Sequence, residues 1–190
     1  MMNLHGTALN LDILGGLRIP PISQMGFVVQ SLEESSAFYG SLLNIKKWYR
    51  TKITECDYTF KGKPIEMVLD IAVGYSGKTQ IELIKVSGPD DNIYYDVNGR
   101  DGFGFHHFGV VVNNLEKHIR GMETAGIEPL QIGTLKYGGG GVTKVAYMDT
   151  METAGFILEL IETKAFGINL GMPQWLVNLG RITGDICAMK

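Results

Sequence analysis

The chain repeats itself, and the repeat limits what it can fold into. Gln24-Met-Gly-Phe-Val-Val-Gln-Ser-Leu-Glu33 recurs 83 residues later as His107-Phe-Gly-Val-Val-Val-Asn-Asn-Leu-Glu116. Downstream of each copy lies a second matching pair, Gln80-Ile-Glu-Leu-Ile84 and Ile157-Leu-Glu-Leu-Ile161. The order start, end, start, end describes two modules of one design, each too long for a solenoid unit. Each module opens with a short β-branched strand (25–29 and 108–112), followed by polar N-cap chemistry at Gln30-Ser31 or Asn113-Asn114. Helices are then expected over 32–43 and 115–125, the second closed by Gly126. Strands are expected over 47–53, 65–73 and 79–86 in the first module, and over 128–132, 143–148 and 156–162 in the second. The pattern is βαβββ, twice.

This reading divides the 190 residues into an N-terminal arm (1–21), a first module (22–87), a linker (88–104), a second module (105–163) and a C-terminal tail (164–190). Gly15-Gly16 and Pro20-Pro21 make the arm a poor independent element, and Trp175, Leu176 and Leu179 suggest a short amphipathic helix in the tail. The 25 glycines punctuate the repeat; Gly26 and Gly109 recur inside the opening strands, where small size permits close approach. With 17 basic against 20 acidic residues, the chain has no electrostatic footprint for nucleic acid. Cys56 and Cys187 are isolated and read as reduced thiols. No apolar stretch approaches a membrane span, and no leader pattern opens the chain, so a soluble, cytoplasmic protein is expected.

Alternation along the strands singles out four polar residues. Gln24 and His107 occupy one repeat position, and Glu82 and Glu159 another, each glutamate between apolar neighbours. A carboxylate inside a strong strand is costly to bury alone and calls for a partner, with a cation the obvious one. Gln24, Glu82, His107 and Glu159 suit one divalent ion of the borderline or hard kind: Zn²⁺, Ni²⁺, Co²⁺, Mn²⁺ or Fe²⁺. His106 is expected to point to the opposite face from His107, and its repeat partner is Ser23. His5 and His118 fall outside the set. Tyr137 with Gly138–Gly141 reads as a mobile loop, and Arg50, Arg100 and Arg181 as candidate anion holders or surface charges.

These motifs resemble the vicinal oxygen chelate superfamily, the group of glyoxalases, bleomycin-resistance proteins and extradiol dioxygenases. The resemblance is carried by Gln24 to Val29, Leu32-Glu33-Glu34-Ser35-Ser36-Ala37-Phe38-Tyr39, Gln80 to Ile84, Phe105-His-His-Phe-Gly-Val-Val-Val112, Tyr147-Met-Asp-Thr150 and Gly155 to Ile161. It covers about residues 22–162. It implies an α+β fold in which two βαβββ modules pair into an open barrel-like cup around one metal site, held by Gln24, Glu82, His107 and Glu159. It also implies proton transfer next to a carbonyl through a metal-stabilised enolate. Glu159 is the first choice for the proton carrier and Glu82 the second.

Within the superfamily, glyoxalase I-like lyases can carry Gln, Glu, His and Glu in this order. Proteins similar to methylmalonyl-CoA epimerase share the His-His start of the second module but usually have His where this chain has Gln24. Dioxygenases need two His and one carboxylate on iron, and Gln24 stands against that. The expectation is a metal-dependent lyase, isomerase or epimerase acting on a small carbonyl substrate, as a homodimer. The alternative is a non-enzymatic binding protein on the same fold.

Overall fold

The computed structural model describes residues 9–51, 53–98, 102–137, 140–165, 168–169 and 186–189. The opening strand of the first module, β1 (Gln24–Val28), runs into Ser31, whose hydroxyl accepts from the Glu34 N–H at 3.2 Å and starts α2 (Leu32–Leu43). Asn44 ends that helix in the left-handed conformation. In the second module β7 (Gly104–Val111) leads to Asn114, which accepts from the Lys117 N–H at 2.9 Å and starts α4 (Leu115–Thr124). Gly126, at φ 92°, donates to the Glu123 carbonyl, and Ile127 donates to Met122, which is Schellman closure.

The other strands of the first half are β2 (Trp48–Thr51), β3 (Ile53–Phe60), β4 (Lys63–Ile65), β5 (Val68–Ser76) and β6 (Thr79–Ser87). The second half adds β8 (Pro129–Tyr137), β9 (Gly141–Met148) and β10 (Ile157–Ala165), with short β11 (Ile168–Asn169) and β12 (Ile186–Ala188). All belong to one sheet in the order β12-β2-β5-β6-β1-β7-β10-β9-β8-β3-β4, with β11 beside β10. At its centre β1 and β7 run antiparallel, and each is parallel to the closing strand of its own module, β6 or β10. The two modules are thus related by an approximate twofold between β1 and β7. β2 and β3 are separated by one residue yet stand near opposite ends of the strand order, so the sheet must curl round on itself.

The inside of the curl holds the largest apolar cluster, with Tyr49, Phe60, Leu69, Ile84, Tyr94, Val145, Tyr147 and Ile157 drawn from both modules. The helices cover the outside. α2 packs through Leu32 with Ala72, Ile81 and Leu83, and α4 packs through Leu115 and Met122 with Val110 and Leu160. The architecture is α+β, two βαβββ modules forming one cup. Among the described residues no helix is long and apolar enough to cross a membrane.

Three local features differ from the sequence reading. The arm contains a helix, α1 (Leu11–Leu17), capped by Asn10 and packed through Leu14 and Leu17 beside α4. Strand content continues through 53–65 as the β3–β4 hairpin, turned by Lys61 at φ 48° and Gly62 at φ 76°, the geometry of a two-residue primed turn. The described parts of the tail are strand rather than helix, and β12 lies along β2. The helix expected around Trp175 lies outside the described residues, as do Gly138, Gly139, Arg100 and Arg181. Arg50 is an exposed partner of Asp70 and Glu33, which fits the surface-charge alternative.

Candidate metal centre

Two rungs of the sheet, two residues apart and so on one face, build the site. One reads Glu82 (β6), Gly26 (β1), His107 (β7), Ile157 (β10); the other reads Gln80, Gln24, Gly109, Glu159 on the same four strands. The repeat therefore sets a glycine directly beside each opening-strand polar residue, from the opposite module. A Cβ on Gly26 would fall within 2.5 Å of Cε1, Nε2 and Nδ1 of His107. A Cβ on Gly109 would fall 2.9 Å from the Gln24 Cβ and closer still to its Oε1. The two glycines are needed because each module's polar side chain crosses over the other module's strand. The close approach expected at these positions is thus made by side chains rather than by backbone.

The four sequence-derived residues converge. Gln24, His107 and Glu159 are each at most 3% exposed, and Glu82 is 9% exposed. Around His107 Nε2 lie Glu159 Oε2 at 3.0 Å, Gln24 Oε1 at 3.4 Å and Glu82 Oε2 at 3.6 Å. One nitrogen can offer at most one proton to three oxygens. Among the described residues, Glu159 Oε2 finds no aligned hydrogen-bond donor. Burial, reinforced by Glu159 and partly offset by His107, pushes Glu82 up to about 8. Burial alone would lower His107, but Glu159 and Glu82 outweigh it and raise the imidazole above its ordinary value.

A cluster of buried acceptors with too few protons is what a cation would complete. One imidazole nitrogen, two carboxylates and an amide oxygen form a donor set that fits a borderline or hard divalent ion. Two of the three spacings around Nε2, to Glu159 and Gln24, match the donor-to-donor edge of about 3.0–3.4 Å that bonds of about 2.1 Å give in octahedral or tetrahedral coordination, and Glu82 lies slightly beyond it. Glu82, His107 and Glu159 place one ligand atom each within 4.8 Å of one another.

The sequence reading missed three participants. Gln80 Oε1 accepts from Gln24 Nε2 at 2.8 Å, and Gln80 Nε2 donates to the Tyr75 hydroxyl at 2.8 Å. This chain turns the Gln24 amide so that its oxygen, not its nitrogen, faces the cluster. The repeat gave no hint of it, because the counterpart of Gln80 is Ile157; its place two residues before Glu82, on the same face of that strand, was the available signal. Tyr147 lies beside Glu159 across β9–β10, and its ring sits 5.4 Å from that of His107.

His106 is the third. It does not face away from His107. The β1–β7 register jumps from Gly26↔His107 to Phe27↔Phe105, leaving His106 as the extra residue of a bulge. The bulge breaks the alternation, and both rings lie within 6 Å of Tyr147. His106 is fully buried, with Nδ1 3.0 Å from His107 Nδ1.

The chain is similar to known proteins in sequence pattern and in fold. Residues 23–147 match the family model described as the Glyoxalase/Bleomycin resistance protein/Dioxygenase superfamily. Among solved structures, a hypothetical protein from Bacillus halodurans is similar at 21% identity and a TM-score of 0.53, over 78% of this chain and 98% of that one. A methylmalonyl-CoA epimerase from Mycobacterium tuberculosis is similar at 13% identity and 0.49, over 75% and 87%. One from Streptomyces coelicolor is similar at 13% and 0.46, over 75% and 96%. The sequence gives no significant match among curated proteins. With the family model spanning well over half of the chain, the protein belongs to the Glyoxalase/Bleomycin resistance protein/Dioxygenase superfamily.

Proposed function

We propose that the protein is a divalent-metal-dependent enzyme that moves a proton on carbon next to a carbonyl, in the manner of a lyase, isomerase or epimerase. The observation that carries this is the convergence of three buried oxygens on His107 Nε2, from four neighbouring strands of two modules. A divalent ion held by Gln24, Glu82, His107 and Glu159 would polarise the carbonyl and acidify the adjacent C–H.

The chain's own residues supply the rest. Glu159, buried beside His107, is the proton carrier, taking the proton from the carbon next to the carbonyl onto a carboxylate oxygen and returning it to carbon. Glu82, held high by its surroundings, is the second carboxylate able to hold a proton near neutral pH. Tyr94, Tyr147 and the apolar lining of the cup keep bulk water from this pair. Hemithioacetals and acyl-CoA thioesters are the substrate classes to try first, and the assembly proposed is a homodimer.

Elemental analysis of the purified protein should find close to one divalent ion per chain. With either substrate class, NMR in deuterated water should show exchange of the proton next to the carbonyl. His107→Ala should lose the ion, and Glu159→Gln should lose the exchange. Unchanged metal content and exchange in both variants would refute the proposal. Tight binding of a hydrophobic compound with no exchange and no metal requirement would favour the binding-protein alternative.

A further inference from the structure

His106 is a buried histidine that the proposed chemistry does not use, and its surroundings specify what it does. Its Nε2 lies 3.4 Å from the Ile93 carbonyl oxygen, and its ring packs on Tyr94 at 4.9 Å between centroids. A carbonyl can only accept, so His106 Nε2 carries the proton. Among the described residues no carboxylate pairs with His106, so a second proton there would leave a fully buried charge against the neighbouring imidazole. The neutral ring therefore presents a bare Nδ1. The Nδ1–Nδ1 distance of 3.0 Å is a hydrogen bond, and its proton must come from His107.

We propose that His106 is a positioning residue that locks the tautomer of His107. The relay runs from His107 Nδ1–H to His106 Nδ1, and from His106 Nε2–H to the Ile93 carbonyl. With Nδ1 committed to His106, Nε2 is the nitrogen that would give its lone pair to an ion held with Glu159, Gln24 and Glu82. A ligating histidine commonly donates its far N–H to a carboxylate, a carbonyl or water. Here a second imidazole takes that place and passes the constraint to α3 (Ile93–Asn98). The β-bulge is the device that makes this possible, because without it adjacent residues on a strand could not share a face. This inference rests on the metal reading for its purpose, though not for its geometry.

The test uses the full chain and Zn²⁺. Long-range ¹⁵N–¹H NMR of the metal-free wild type should show a bare Nδ1 and a protonated Nε2 on His106, with a proton on His107 Nδ1. His106→Phe keeps the bulk and the ring packing but removes the acceptor; its Zn²⁺ affinity, measured against a competing chelator, should fall about 10–100-fold. His106→Asn, whose amide oxygen can stand in for Nδ1, should recover most of that loss. A protonated Nδ1 on wild-type His106 overturns the proposal without any variant having to fold. So does wild-type Zn²⁺ affinity in a folded His106→Phe variant. If the wild type binds no Zn²⁺ but shows the expected tautomers, the lock stands and the metal reading falls.

Discussion

Gly26→Ala is the sharpest test of how the site is built. Gly26 does not have positive φ, so alanine meets no backbone penalty there and the effect is steric alone. The new methyl would lie within 2.5 Å of three atoms of the His107 ring, against an ordinary carbon contact of about 3.5 Å or more. The imidazole must retreat by about 1 Å or more, and it is wedged between Tyr147 and His106. Overpacking of this kind costs about 1–3 kcal/mol of folding stability. A displacement of about 1 Å at a reacting centre costs about 100-fold in rate. Thermal melting and the rate of proton exchange read the two effects separately, and a Zn²⁺ titration shows whether His107 still reaches the ion. Gly16→Ala is the control. Nothing lies within 4 Å of its added carbon, and within α1 it should stabilise by up to about 1 kcal/mol. If Gly26→Ala binds Zn²⁺ as the wild type does and melts at the same temperature, the crossing of His107 over β1 is wrong.

Other consequences can be measured on the same material. Gln80→Leu frees the Gln24 amide to rotate and should weaken metal binding about 10-fold with little change in fold, read by chelator competition and circular dichroism. Metal-free protein should lose stability as pH rises from about 6.5 to about 8. Glu82 and His107 both have folded pKa values above their unfolded ones, so the folded state binds the extra protons and sheds them across that window. His106, pushed down to about 3 chiefly by burial, acts oppositely, but only below its unfolded pKa of about 6.5. Zn²⁺ should flatten the trend by replacing the protons, and a Tm that rises with pH in the metal-free protein would contradict the assignment. Gly126→Ala forces a side chain into φ 92° at the end of α4 and should cost about 1 kcal/mol in denaturant melts without altering metal affinity.

What was legible in the sequence follows from what a repeat can encode. Matching Gln24 with His107 and Glu82 with Glu159 located four side chains that converge in space, because equivalent positions in two modules related by a twofold share one centre. The repeat is blind to asymmetry. Gln80 has Ile157 as its counterpart, so comparison discards it, although it orients Gln24. Alternation failed at His106 because a bulge is a property of the strand pair, and neither strand alone announces it. The β3–β4 hairpin did carry local signals, with Cys56, Tyr58 and Phe60 alternating with Glu55, Asp57 and Thr59 before Lys61-Gly62. Its pairing with β8 did not, since that partner lies in the other module. Likewise Asn10 and the spacing of Leu11, Leu14 and Leu17 foreshadow α1, but Gly15-Gly16 hid it, and its stability comes from packing on α4.

The pairing of β3 with β8 also decides whether the two halves can part. Two halves that met only along β1 and β7 could swing apart like the covers of a book. Here one stretch of chain leaves the first half's rim and is zipped at once to the second half's rim through β3 and β8. Hinged separation would have to strip that ladder and split an interior shared by both halves. The same strap makes the halves melt together, so one thermal transition should report on both.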